Sequence, residues 1–257
     1  MGHWLQTAPG RYLLDWELSR LDAAVTDAFG FHALQLGLPE VEALRANRMP
    51  HRWLAGDAGL AAGAAATPVA LTCEFDALPF PSDSIDLVVL PHALEFAHDP
   101  HQVLREVERV LRPEGRIVIT GLNPASLWGL RQRLSRARLG LLGRGEPYLP
   151  REGEFIGYWR LRDWLRLLGF AIEGGQFGCW KPPLAAERWL QRFGWMDRVG
   201  ERWWPVLGAA YLLVAVKRVR GTRLVGLAKA QRAKAPAAAV VATRREHAER
   251  TKIEERV

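Results

Sequence analysis

Cysteine is scarce in this 257-residue chain, which contains only Cys73 and Cys179. Two widely separated thiols exclude a disulfide framework and provide no metal-binding spacing, so the cysteine usage fits the reducing cytoplasm. Long apolar runs are missing as well. The longest, Val206 to Val216, is about half of what a membrane span requires, and Arg11 and Asp15 interrupt the beginning of the chain before any apolar stretch forms. The chain is therefore expected neither to cross a membrane nor to be secreted. Acidic residues are outnumbered: 28 Asp and Glu stand against 35 Lys and Arg, for a net charge of +7. The surplus is uneven. Residues 221–257 carry nine basic and four acidic side chains, while the preceding 220 residues carry 26 and 24. Residues 1–220 thus read as one domain with a near-neutral balance, and 221–257 as a basic, disordered tail. Such a tail either solubilises the protein or rests on an anionic surface, membrane or nucleic acid.

The stretch from Asp76 to Val118 is the most informative part of the chain. Asp76 precedes a turn containing Pro79 and Pro81, after which Ile85 to Leu90 forms an apolar run of the kind buried in parallel sheets. Asp99 and Pro100 open a helix, because proline at the first position forfeits no hydrogen bond and aspartate accepts from the free amides of the first turn. Val103, Leu104, Val107, Val110 and Leu111 form its apolar stripe, while Arg105, Glu106 and Arg109 remain outside it. Pro113 and Gly115 stop the helix, and Ile117 to Ile119 begins the next strand.

This order of Asp76-Ala77-Leu78-Pro79-Phe80, then Ile85-Asp86, then Arg109-Val110-Leu111-Arg112-Pro113-Glu114-Gly115 resembles class I S-adenosylmethionine-dependent methyltransferases, in particular the small-molecule, type 11-like branch. The resemblance implies an α/β fold: a Rossmann-like seven-stranded sheet with helices on both faces and the last strand, residues 209–217, inserted antiparallel between the fifth and sixth. It implies S-adenosylmethionine as cofactor and a small-molecule methyl acceptor. By the same resemblance Asp57, at the end of the second strand, binds the ribose hydroxyls, Asp76 accepts from the adenine amino group, and a backbone amide near Ala77 meets the ring. An ordinary turn aspartate is the alternative reading at both positions.

The family's glycine-rich turn is degenerate here. Glycines there let the backbone approach the ligand, yet residues 31–41 read FHALQLGLPEV. Gln35 stands where the family has an acid, Gly37 matches the first glycine, and Pro39 and Val41 occupy the other two places. By resemblance Gln35 and Gly37 hold the methionine end, and restoring an acid at position 35 is expected to strengthen binding. Leu90 and His92 end the fourth strand beside the expected site of methyl transfer, with His92 as a candidate base. A hydrogen-bonded surface histidine is the alternative, and Glu95, His98 and His101 are further candidates of the same kind. No spacing among them indicates a metal site.

Trp16, Leu18, Leu21, Val25 and Ala28 predict a helix over the first strand, and residues 58–67, mostly Ala and Gly, a loop or weak helix. Asn123-Pro124 reads as a turn and helix start. Two insertions, at about 122–158 and 181–207, interrupt the family pattern. The first holds an amphipathic basic segment from Leu127 to Arg144, suited to an anionic or membrane-held acceptor or to a solvated helix face. Eight of the eleven tryptophans lie between 128 and 204, and aromatic clusters of this kind are expected to pack inward as core, the alternative being that they surround a flat acceptor. Two rival functions remain beside methyl transfer to a small molecule: a binding or regulatory protein that kept the fold and lost the cofactor, and an RNA methyltransferase.

Overall fold

The computed structural model describes residues 1–57, 69–142, 148–150 and 153–218. The loop expected at 58–67 and the tail at 221–257 lie outside the described residues, as do the side chains of Arg136 and of the basic segment beyond Ala137. A short helix α1 (Gly2–Leu5) and a long one, α2 (Ala8–Thr26), precede strands β1 (His32–Leu36), β2 (His51–Gly56), β3 (Leu71–Thr72) and β4 (Ile85–Pro91). Helices α3 (Ala93–Phe96) and α4 (Pro100–Val110) lead to β5 (Leu111–Leu122), then α5 (Leu127–Leu142), α6 (Tyr158–Leu167) and β6 (Phe170–Gly178). Helices α7 (Glu187–Arg192) and α8 (Trp195–Trp203) and a 3-10 turn (Pro205–Leu207) precede β7 (Ala210–Lys217).

The strands form one sheet in the order β3-β2-β1-β4-β5-β7-β6. β7 runs antiparallel to both its neighbours, and the remaining pairings are parallel. Each face buries its own core. Leu34, Leu36, Val88, Leu90 and Ile117 pack toward α4 and α6 on one side; Ala33, Leu87, Val89, Val118 and Leu212 pack toward α2 on the other. The alternation of neighbouring residues between the two clusters follows from the two-residue period of a strand.

Local chemistry sets the ends of these elements. Asp99 caps α4 by accepting from the amides of His101 and Gln102 at 2.9 and 3.1 Å. The helix ends at Val110 rather than at Pro113, consistent with the preference of the residue before a proline for extended backbone. β5 therefore starts early, and residues 112–115 form an irregularity before the regular pairing of Leu87 with Arg116 resumes.

The connection from β1 to β2 departs most from an ordinary α/β unit. Parallel neighbours are usually joined through a helix, yet residues 37–50 contain none. Two buried amide side chains organise this segment instead. Asn47 donates to the carbonyls of Val25 and Ala28, holding the C-terminal end of α2, and accepts from the amide of Met49. Gln35 does the equivalent at the other end of the segment. Leu38, Val41, Ala43, Leu44 and Met49 are buried beneath it as a helix face would be. Asn47→Ala should cost about 1–3 kcal/mol, the penalty of leaving buried carbonyls unpaired. Urea unfolding would measure it, and an unchanged midpoint would show that water satisfies those carbonyls.

Candidate active site

Ligands in open parallel sheets lie beyond the carboxyl ends of the strands. At that edge the pairing of Ala55 with Leu71 and Gly56 with Thr72 sets the chain after β2 beside the chain after β3, and the Cys73 amide continues the ladder to the Gly56 carbonyl at 3.0 Å. Asp57 and Asp76 consequently line one cleft of about 270 Å³, together with Glu74, Phe75, His98 and Asp99. Burial and the nearby Asp57 carboxylate push the Cys73 thiol up. Hydrogen bonds from the His101 and Gln102 amides, Gln102 first, hold the exposed Asp99 carboxyl below the usual carboxylate range.

The loop carrying Asp76 is clasped by α4. Glu106 accepts from the Leu78 amide at 3.1 Å, and Arg109 donates to the carbonyls of Leu78 and Phe80 at 3.0 and 2.9 Å while pairing with Glu106 at 2.8 Å. Asp86 acts similarly one strand away. It accepts from the amides of Phe31 and His32 and pairs with Arg112 at 3.1 Å, which together hold its carboxyl low against the opposing effect of burial. The motif residues Leu78, Phe80 and Arg109 thus brace the loop that carries Asp76, whereas Asp86 pins the start of β1 at the opposite, amino edge of the sheet. The Ala77 amide, expected to meet a ring, donates to the Glu74 carbonyl at 3.2 Å inside the turn.

Gln35 requires a correction. Its side chain is 4% exposed and does not line the cleft. The Nε2 group donates to the carbonyls of Gly37, Leu38 and Val41 at 3.2, 3.1 and 2.6 Å, and Oε1 accepts from the Ala43 amide at 3.0 Å. Gln35 therefore closes its own loop, and the hollow it lines, with Glu42, Arg45 and Arg52, is not the one that holds the aspartates. Gly37 retains a left-handed conformation with φ of 77°, but a Cβ built there would already lie in van der Waals contact with the Phe75 ring and the Ala93 methyl group. Val41 is a fully buried core residue.

Leu90 and His92 also differ from expectation. The Leu90 side chain is buried in the core on the α4 and α6 face, not in the cleft. His92 is fully buried, with Nε2 2.7 Å from Glu17 and Nδ1 2.8 Å from Glu95. Glu95 also accepts from the Leu122 amide at 2.5 Å. Burial opposes the charge, but the Glu17 and Glu95 carboxylates outweigh it and push the imidazole up to about 10. Burial likewise raises the Glu95 carboxyl. A protonated imidazolium sealed between two carboxylates cannot accept a substrate proton, so His92 is a structural charge joining α2, the end of β4, α3 and the end of β5. His98 is the imidazole that lines the described cleft. Glu17 escaped the sequence reading, although a signal was present: it occupies the buried stripe of α2 between Leu13 and Leu21.

The tryptophans between 128 and 204 also depart from the inward packing expected. Trp128 and Trp180 are buried, whereas Trp159, Trp189, Trp195, Trp203 and Trp204 are exposed.

Residues 56–119, which contain the cleft aspartates and their supports, match the family described as methyltransferase domain. The chain is 33% identical over 154 residues to the uncharacterized protein YafS of Escherichia coli (strain K12), a match covering 60% of this chain and 58% of that protein. It spans less than two thirds of that relative's length. Among solved structures, the methyltransferase in complex with the Trm112 methyltransferase activator of Haloferax volcanii superposes with a TM-score of 0.55 at 19% identity, covering 86% of this chain and 96% of that one. A SAM-dependent methyltransferase from Thermotoga maritima superposes with a TM-score of 0.52 at 14% identity, covering 81% and 90%. At these identities the likeness is one of fold, and the fold is that of the class I methyltransferases.

Proposed function

We propose that this chain, with its class I methyltransferase fold, is an S-adenosylmethionine-dependent methyltransferase acting on a small-molecule acceptor in the cytoplasm. One observation carries the reading: Asp57 and Asp76, from the ends of adjacent parallel strands, share a single cleft at the carboxyl edge of the sheet. Paired carboxylates there suit a nucleoside, because one accepts from both hydroxyls of a ribose and the other from an exocyclic amine. The adenosine half of the cofactor thus fits the residues present. The methionine half does not find the usual acid, because Gln35 is engaged by its own loop. When bound, the cofactor supplies a methyl group made electrophilic by its sulfonium.

Asp57 and Asp76 would hold the nucleoside, α4 would keep the Asp76 loop in position through Glu106 and Arg109, and His98 could take a proton at the cleft. Isothermal titration with S-adenosylhomocysteine tests this proposal. Saturable binding is expected below about 1 mM, with Asp57→Ala and Asp76→Ala each weakening it by roughly ten- to a hundredfold, the effect of losing a charge-assisted hydrogen bond. The closed Gln35 loop favours a second reading, a fold retained for binding or regulation without the cofactor. Absence of any heat at millimolar ligand would select that one.

A further inference from the structure

Both insertions leave the same edge of the sheet. β5 ends at Leu122 and β6 at Gly178, each opposite Ala210, the first residue of antiparallel β7. The insertions are also joined to each other. Asn123 donates to the carbonyls of Val206 and Gly208 at 2.8 and 2.9 Å, and Trp128 donates to the Lys181 carbonyl at 2.8 Å. They form a rim at the carboxyl edge.

Large apolar side chains on this rim point to solvent. Trp128 and Gln132 turn the inner face of α5 into the domain, while Leu127, Leu130 and Leu134 stand 48%, 52% and 55% exposed at the three- and four-residue spacing of one helix stripe. In the other insertion Trp195 is 52% exposed, Trp203 73% and Leu207 45%. The charge between them is one-sided. Glu187 pairs with Arg11, Asp197 with Lys181 and Glu201 with Arg20. Arg188, Arg192, Arg198 and Arg202 have no ion-pair partner among the described residues.

We propose that this rim is a docking surface for an anionic phospholipid bilayer, seating Trp195, Trp203 and the α5 leucine stripe in the interfacial region. Tryptophan favours that depth because its ring is apolar while its N–H remains hydrated, and unpaired arginines complement anionic headgroups. No described helix is long and apolar enough to cross the membrane, so the contact is peripheral. It places the carboxyl edge of the sheet against the lipid surface. The surface itself does not depend on cofactor binding or on methyl transfer.

The test is co-sedimentation of the full chain, without added cofactor, with vesicles of phosphatidylcholine alone or mixed with phosphatidylglycerol. Binding is expected only to the mixed vesicles and is expected to weaken with added salt, because exposed charges are screened. Trp203→Ser combined with Leu130→Ser should reduce partitioning by about tenfold or more, since both side chains would leave the apolar phase. The basic tail is unchanged in this variant, so tail binding alone predicts no loss. In the unmodified chain, tryptophan fluorescence should be quenched by brominated lipid, a readout that needs no variant. Equal binding to neutral vesicles, an unchanged variant or absent quenching would overturn the proposal. So would patch-dependent retention on a polynucleotide, or self-association through the patch, in the absence of vesicle binding.

Discussion

Replacing His92 with leucine should destabilise the protein by about 3–5 kcal/mol, because it leaves the Glu17 and Glu95 carboxylates buried without their shared counter-charge. For a domain of this size the expected fall in Tm is about 10 °C or more. The pH dependence provides a second check with a defined sign. The imidazole is pushed up from its ordinary 6.5 to about 10 in the folded chain. Its contribution to stability is fully present below pH 6.5 and is lost as the pH rises toward 10. The raised Glu95 carboxyl acts in the same direction, from its ordinary 4.5 upward. Stability of the parent should therefore decline across the alkaline range, and His92→Asn should lack the part of that slope due to the imidazole. A parent whose denaturation midpoint is flat from pH 7 to 10 would show that the triad is not ionised as described.

Gln35→Glu should destabilise the protein, reversing the expectation that an acid at this position would improve cofactor binding. The introduced carboxylate would face the carbonyls of Gly37, Leu38 and Val41 where an amide now donates. A buried charge without compensation costs about 3–5 kcal/mol, so the β1-to-β2 loop should loosen or the group should take up a proton. The destabilisation relative to the parent should shrink on acidification, since a protonated carboxyl can donate again. Differential scanning fluorimetry between pH 5 and 8 measures this. An unchanged Tm together with tighter binding of S-adenosylhomocysteine would mean that the loop opens and frees the acid for the ligand.

The legible parts of the fold and cleft were those in which one local interaction decides the outcome. Asp99 with Pro100 marks a helix start because a carboxylate and a proline satisfy the same free amides that begin any helix. The apolar run from Ile85 reads as a buried strand because both its faces are covered. Asp76 was singled out by the family-like run around it and Asp57 only by its place at a strand end, and both line the cleft. Gln35 and His92 were misread because identical residues serve a ligand or the protein itself according to what lies opposite them. The partners of His92 come from Glu17 in α2 and Glu95 in α3, and no spacing in the chain reveals that both carboxylates meet one ring.

From its sequence alone, this chain determined its strands, helices α2, α4 and α5, the order of its α/β units and the strand-end position of the two aspartates of the cleft, because periodicity, capping and turn chemistry act over a few neighbouring residues. Tertiary structure alone decided which polar groups remain available. The Gln35 amide was taken by three carbonyls, His92 by two carboxylates and Arg109 by the Asp76 loop, whereas the rim tryptophans were left in water. The physical reason is that a buried polar group must find partners wherever the chain supplies them, and those partners are set by packing between elements distant in sequence.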